Sequence, residues 1–275
     1  MIMLRRRRGL TIIELLVTII VLGIVGGGIV RMLTSQARFY EHQGAGRNAR
    51  AVSRAALNLM LSELRMVESG GGVVAASATS ITLRVPYVFG VYCASPSGVS
   101  TVSLLPADSA MLAEPGFSGY AWRGRLGNYN YVEGGAMIVP PVPGTCVGAG
   151  ITPIAQRVGL MPVLPNGAAS GTVVMLYRRL TYAFAPSAAI PGRTALWRRI
   201  DATGEREELA APFAATARFR FYPLNANTAQ DAVPPLTDIR GFELVLTGAS
   251  EASPRITGAP RNAQLTTSVF FRNRL

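Results

Sequence analysis

Lysine is absent from this 275-residue chain: all 27 basic residues are arginine, and they face 15 acidic residues and a single histidine. Without lysine the glycine-rich stretch "GGGIV" (26–30) cannot end in the Lys-Ser/Thr pair that a phosphate-binding loop needs, and no strand precedes it. One histidine and two cysteines are too few of the usual ligands for a zinc site. Neither Gly-x-Ser-x-Gly nor His-Glu-x-x-His occurs, so hydrolase and metalloprotease chemistry have no motif to stand on. No internal repeat is visible. Charged residues make up only 15% against 49% apolar, which excludes a disordered or highly charged tail. What remains is enough chain for a membrane segment and one or two domains with real cores.

Charge is also missing from one long stretch. Residues 10–30 are apolar or small apart from Thr11, Glu14 and Thr18. As a helix this run spans about 31 Å, close to the hydrocarbon thickness of a bilayer. Arg5 to Arg8 precede it, which predicts a cytoplasmic N-terminus and places everything after Arg31 outside. Glu14 is the anomaly, because a lone carboxylate in such a run costs on the order of 2.5–3.5 kcal/mol unless something pairs with it. Three readings compete. The run is a plain signal anchor; or it is a secretory signal cut after "SQA" (35–37), although its apolar core is longer than usual; or a cut after Gly9 leaves Leu10 with a new α-amino group four residues before Glu14. Arg7-Arg8 matches a twin-arginine signal only weakly. Only the third reading supplies Glu14 with a cation.

The stretch "GLTIIELLVTIIVLGI" resembles the class III signal of type IV pilins and type II secretion pseudopilins: a basic leader ending in Gly, an apolar residue, Thr, two variable positions, then Glu. The resemblance implies removal of residues 1–9 by a membrane peptidase acting between Gly9 and Leu10, with N-methylation of Leu10. Leu10 departs mildly from the family, in which Phe is commonest. Glu14 would pair with the terminal amine of a neighbouring subunit as stems enter a filament core, cancelling two buried charges and setting register. Gly23, Gly26, Gly27 and Gly28 then serve close stem packing or a stretch that loosens in the filament.

Beyond the 10–33 stem, Val52, Ala56, Leu59, Met60, Leu64 and Val67 form one apolar helical face, so 34–69 is predicted to be the outer half of a long helix stopped by "SGGG". From residue 73 the sequence turns to strands, predicted at 80–93, 100–105, 134–140, 171–185, 194–200, 216–224, 239–248 and 264–273, with Gly, Pro and Ser clusters between them. Residues 106–170 read as an irregular Pro/Gly-rich insertion. The fold class is α+β, one long helix on a mainly antiparallel sheet spanning 73–275. Cys93 and Cys146 would lie outside the cytoplasm, where an oxidised pair is expected, worth roughly 4 kcal/mol in the chain-entropy model.

A second, narrower resemblance runs through "SELRMV" (62–67), "VVMLYRRLTYAF", "LWRRI", "ARFRFYPL" and "LTTSVFFRN", an order similar to J-type minor pseudopilins and PilW-type minor pilins. It implies a minor subunit that primes or caps a type IV pilus or type II secretion pseudopilus, without enzymatic activity or cofactor. Expected partners are the prepilin peptidase/methyltransferase, other minor and major pilins or pseudopilins, and inner-membrane lipid, with the domain extracytoplasmic. The alternative is an anchored or secreted domain that binds carbohydrate or DNA and enters no filament; the Arg-rich surface and "ARFRFYPL" are its support, although such alternation marks an ordinary strand more often. His42 reads as solvated. Glu205, Glu207 and Glu208 read as a hairpin tip, and Trp122 and Trp197 as core or interface residues.

Overall fold

A helix of 53 residues, α1 (Ile12–Leu64), dominates the structure, a computed structural model that describes residues 11–124, 127–138, 145–153, 155–164, 168–251 and 260–271. At 1.5 Å per residue it is about 80 Å long. No proline interrupts it, and it runs unbroken through Gly23, Gly26, Gly27 and Gly28. A Cβ at any of these four glycines would meet nothing within 4 Å, so no contact inside the chain requires glycine there. The helix ends at Leu64, earlier than the predicted 69, and Gly70 and Gly71 turn the chain with φ of 78° and 142°.

Among the described residues thirteen strands follow. They are β1 (Val73–Ala76), β2 (Ser80–Ala94), β3 (Ser100–Leu104), β4 (Phe117–Arg123), β5 (Tyr129–Glu133), β6 (Ala136–Ile138) and β7 (Arg157–Met161). The rest are β8 (Val173–Pro186), β9 (Thr194–Ile200), β10 (Arg206–Phe213), β11 (Arg218–Pro223), β12 (Ile239–Ala249) and β13 (Asn262–Phe270), with two short helices, α2 (Pro106–Met111) and α3 (Thr145–Gly148). Every strand pairing is antiparallel, as expected for the α+β class. The main path is β11-β12-β10-β9-β8-β2-β3-β7-β6, with β13 on β12, β1 on β2, and β4 on β8. The long strand β8 holds the sheet together. It pairs with β2 along most of its length, while its first half also meets β4 and its second half β9.

That division makes two cores. Ala56, Met60, Leu64 and Val67 of the helix region pack on Leu83, Leu180, Phe219, Phe221, Phe242 and Leu246. A second cluster gathers Val88, Val102, Tyr120, Val158, Leu160 and Leu176 beyond the reach of the helix. The strand "ARFRFYP" alternates as predicted: Phe219 and Phe221 are fully buried, while Arg218 and Arg220 both bind Asp231 at 3.1 Å on the wet face. Those arginines are therefore committed within the sheet and do not form a free basic patch.

Three further expectations differ from the structure. Residues 106–170 contain β4, β5 and β7 as well as β6, because aromatic and β-branched segments such as "FSGYAWR" pair with β8 despite the glycines around them. Glu207 and Glu208 lie within β10, opposite Arg198 and Trp197, and the hairpin turns at 201–204 instead. Their acidity answers neighbours: Glu208 accepts from the Ser187 hydroxyl at 2.5 Å and the Ala188 amide at 2.8 Å. Leu59, placed on the buried face by spacing, is 48% exposed. The buried residues are Ala49, Ser53, Ala56, Met60 and Leu64, and Leu59 sits about 100° round the helix from Met60.

Ser53 explains how the helix meets β12. Its hydroxyl donates to the Leu246 carbonyl at 3.1 Å and accepts the Gly248 amide at 3.0 Å. A Cβ on Gly248 would overlap the Ala49 carbonyl oxygen, so glycine is what lets the two backbones approach. At the penultimate residue of the helix, Glu63 accepts from the Tyr182 hydroxyl and from Arg198 Nη2 at 2.7 Å. Burial, and then the Glu63 charge, push the Tyr182 phenol well above its ordinary pKa, so it stays a donor.

Denaturant unfolding of the detergent-solubilised full chain reads the strength of this seam. Gly248→Ala should destabilise by about 2 kcal/mol or more through overpacking, whereas Gly46→Ala, where a Cβ would meet only the far end of the Arg50 side chain at 4.0 Å, should gain about 0.5–1 kcal/mol. Glu63→Ala should cost about 2–3 kcal/mol, below the fully buried limit because the Glu63 side chain keeps 20% of its exposure.

Candidate functional site

The unusual surface of this protein is its N-terminal stem. Every residue from Thr11 to Glu41 is exposed in the isolated chain, although most of those up to Leu33 are apolar; Ile12, Leu22 and Ile24 are 86%, 72% and 71% exposed. This is one helix long and apolar enough to cross a membrane. Within the same helix, exposure gives way to burial only at Ala49. The two halves thus differ in their surroundings, the lower one exposed and apolar and the upper one packed on the sheet.

Thr11 is the N-cap, with extended backbone, and its Oγ1 accepts the Glu14 amide at 3.3 Å. Thr11-x-x-Glu14 is the spacing of a capping box, a signal that reading the carboxylate only as a membrane charge overlooks. Glu14 sits in the first turn, where the free amides of the helix end favour an anion. Thr18 Oγ1 donates to the Glu14 carbonyl at 2.6 Å, so the backbone around the acid is fully engaged while its carboxylate points outward, exposed. Gly9 and Leu10 lie outside the described residues.

The other sequence-predicted residues are far along the chain from this stem. Cys93 in β2 and Cys146 in α3 are fully buried and joined by a disulfide across 53 residues. The bond ties the 106–170 region to the second core. His42 is not merely solvated: Arg261 donates to its Nδ1 at 3.0 Å, linking the stem to the strand after the 252–259 segment. Trp122 is buried in the second core, and Trp197 carries the Arg206 guanidinium over its ring at 3.9 Å.

A cleft of about 770 Å³ opens between β4, β5 and the β9–β10 turn, lined by Phe117, Glu133, Arg179, Arg199 and Asp201 among others. Its charges are committed to one another. Glu133 binds Arg84 at 2.5 Å and Arg179 at 3.5 Å, and Asp201 takes Arg199 at 3.1 Å and the Thr181 hydroxyl at 2.9 Å. Beside it, burial pushes the Tyr177 phenol up to about 12, keeping it a donor to the Val132 carbonyl at 2.9 Å. No group of three or more metal-ligating side chains occurs among the described residues.

Comparison with known proteins bears on the stem alone. Residues 4–30 match the family described as the prokaryotic N-terminal methylation motif. Comparisons with curated proteins and with solved structures gave no match. The matched span covers Arg5–Arg8, Gly9, Leu10, Thr11, Glu14 and the apolar run up to Val30, and the motif implies processing by a prepilin peptidase and assembly with other pilins. At its N-terminus the chain therefore carries the signature of the type IV pilin and pseudopilin family.

Proposed function

We propose that this protein is a minor pilin or pseudopilin, a non-enzymatic subunit that primes or caps a type IV pilus or a type II secretion pseudopilus. The observation that carries the reading is a single uninterrupted helix whose exposed apolar half bears the matched motif and whose other half is locked into a sheet domain. In this reading a peptidase removes residues 1–9 between Gly9 and Leu10 and the new Leu10 amine is methylated. The 10–33 stem then anchors the chain in the inner membrane as a single pass, with 34–69 and 73–275 outside, where the Cys93–Cys146 bond would be stable.

Glu14 is the assembly residue in this account. In a membrane its carboxylate is near the cytoplasmic head groups; between stacked stems it would be desolvated, and the Leu10 amine of a neighbour relieves both charges at one register. Glycines 23, 26, 27 and 28 support stem packing between subunits, since nothing within the chain uses their missing Cβ atoms. The competing reading, an anchored or secreted carbohydrate- or DNA-binding domain, has less support. A cut after Ala37 would sever α1 in mid-helix, and the Arg218–Arg220 strand already spends its charge on Asp231.

Glu14→Ala should insert and fold normally yet enter filaments roughly tenfold less or worse, as expected when a buried charge pair loses a partner. Immunoblots of membrane and sheared-filament fractions measure it. Equal incorporation of the variant would contradict the role given to Glu14.

A further inference from the structure

The outer half of α1 carries a second charged feature that membrane anchoring does not use. Arg47, Arg50 and Arg54 are all exposed and follow one another at helical spacings of three and four. At about 100° per residue they share one stripe, turned about 120° from the face that packs on the sheet. The positions three and four residues either side of them hold Gln43, Gly44, Gly46, Ala51, Ser53, Leu57 and Asn58, with no carboxylate. Among the described residues Arg47 reaches only Gln43 Oε1 at 3.4 Å, and Arg50 only the Gly46 carbonyl at 3.2 Å. Like charges at this spacing destabilise a helix by about 0.2–0.5 kcal/mol per pair, so the arrangement has a cost that the isolated chain does not recover.

We infer that this stripe is a docking surface for an acidic side-chain cluster on a neighbouring, different filament subunit. The inference rests on the filament reading above. Lipid is excluded by distance: Arg47 and Arg54 stand about 21 and 31 Å beyond Leu33 along the helix, while head groups extend only about 5–8 Å past the hydrocarbon. A second copy of this chain is a poorer fit, because the net charge is +12 and six of its fifteen acids, Glu63, Glu114, Glu133, Asp201, Asp231 and Glu243, already bind its own arginines. Duplex DNA, with a charge about every 1.7 Å, calls for a broader patch than a stripe about 10 Å long on one helix. An acidic subunit that closes on the stem would pair these guanidiniums as it desolvates them, and would reject this chain's own basic copies.

The test uses the full chain in cells that assemble the filament, with a photo-crosslinking residue in place of Arg54 and mass spectrometry of the adducts. The expected adduct joins residue 54 to an Asp/Glu-rich segment of a different chain that bears the same N-terminal motif. Arg50→Glu with Arg54→Glu should lower incorporation roughly tenfold or more, while Arg50→Lys with Arg54→Lys should largely keep it. A charge-reversing substitution at the cross-linked acids should restore the double Glu variant. An adduct to nucleic acid or to a second copy, or full incorporation of the double Glu variant, would overturn the inference while leaving the filament reading intact. Absence of the unmodified protein from filaments would overturn both.

Discussion

Fifteen large apolar side chains between Ile12 and Leu33 are left in contact with solvent by the isolated chain, and they constrain everything else. At about 1.5–3 kcal/mol for each such side chain, covering them is worth on the order of 20–40 kcal/mol. Against that scale the penalty of about 3 kcal/mol for carrying Glu14 into the apolar run is small. Insertion therefore tolerates the acid, and its presence is decided by something other than membrane partitioning. The helix N-terminus favours it locally, through the Thr11 cap and the first-turn amides. A glutamine would serve the capping box as well, whereas the proposed pairing with a Leu10 amine calls for a carboxylate at this depth.

Continuity of α1 makes this constraint mechanical. The same rod whose apolar end stands exposed is fastened to β12, β8 and β9 at the other, through Ser53 on Gly248 and Glu63 on Tyr182 and Arg198. Any axial shift that sets the stem's register must move the whole domain. Small residues at Ala49, Ser53 and Gly248 bring helix and sheet close enough for a backbone-level lock, so little play is left at the seam. The glycines of the lower stem have no such intramolecular role, and this contrast separates packing within the subunit from packing between subunits.

Much of this was legible in the sequence because it rests on periodicity and on long uninterrupted patterns. The membrane-length helix, its amphipathic continuation and the eight Val/Thr/aromatic strands all follow from residue spacing. The failures have local causes. Ser53 is polar and so hides from an apolar count, yet it is buried because its hydroxyl satisfies two backbone groups of β12. Strands β4 and β7 are short and glycine-flanked, and they pair with β8 and β3 across some 50 to 60 residues, where local reading has no purchase; β5 joins only as the hairpin partner of β4. The charge on β10 looks like a turn until Arg198, the Ser187 hydroxyl and the Ala188 and Ala189 amides are brought to it. The capping box at Thr11 was readable, but the membrane context drew the eye to charge.

The central claim is that Glu14 awaits an amine made by cleavage after Gly9. The direct measurement is the mass and N-terminal sequence of the mature protein purified from membranes. The account predicts a chain that begins at N-methylated Leu10. A chain that begins at Arg38, or one that retains Met1 in assembled material, would contradict it, because in either case the partner assigned to Glu14 would not exist.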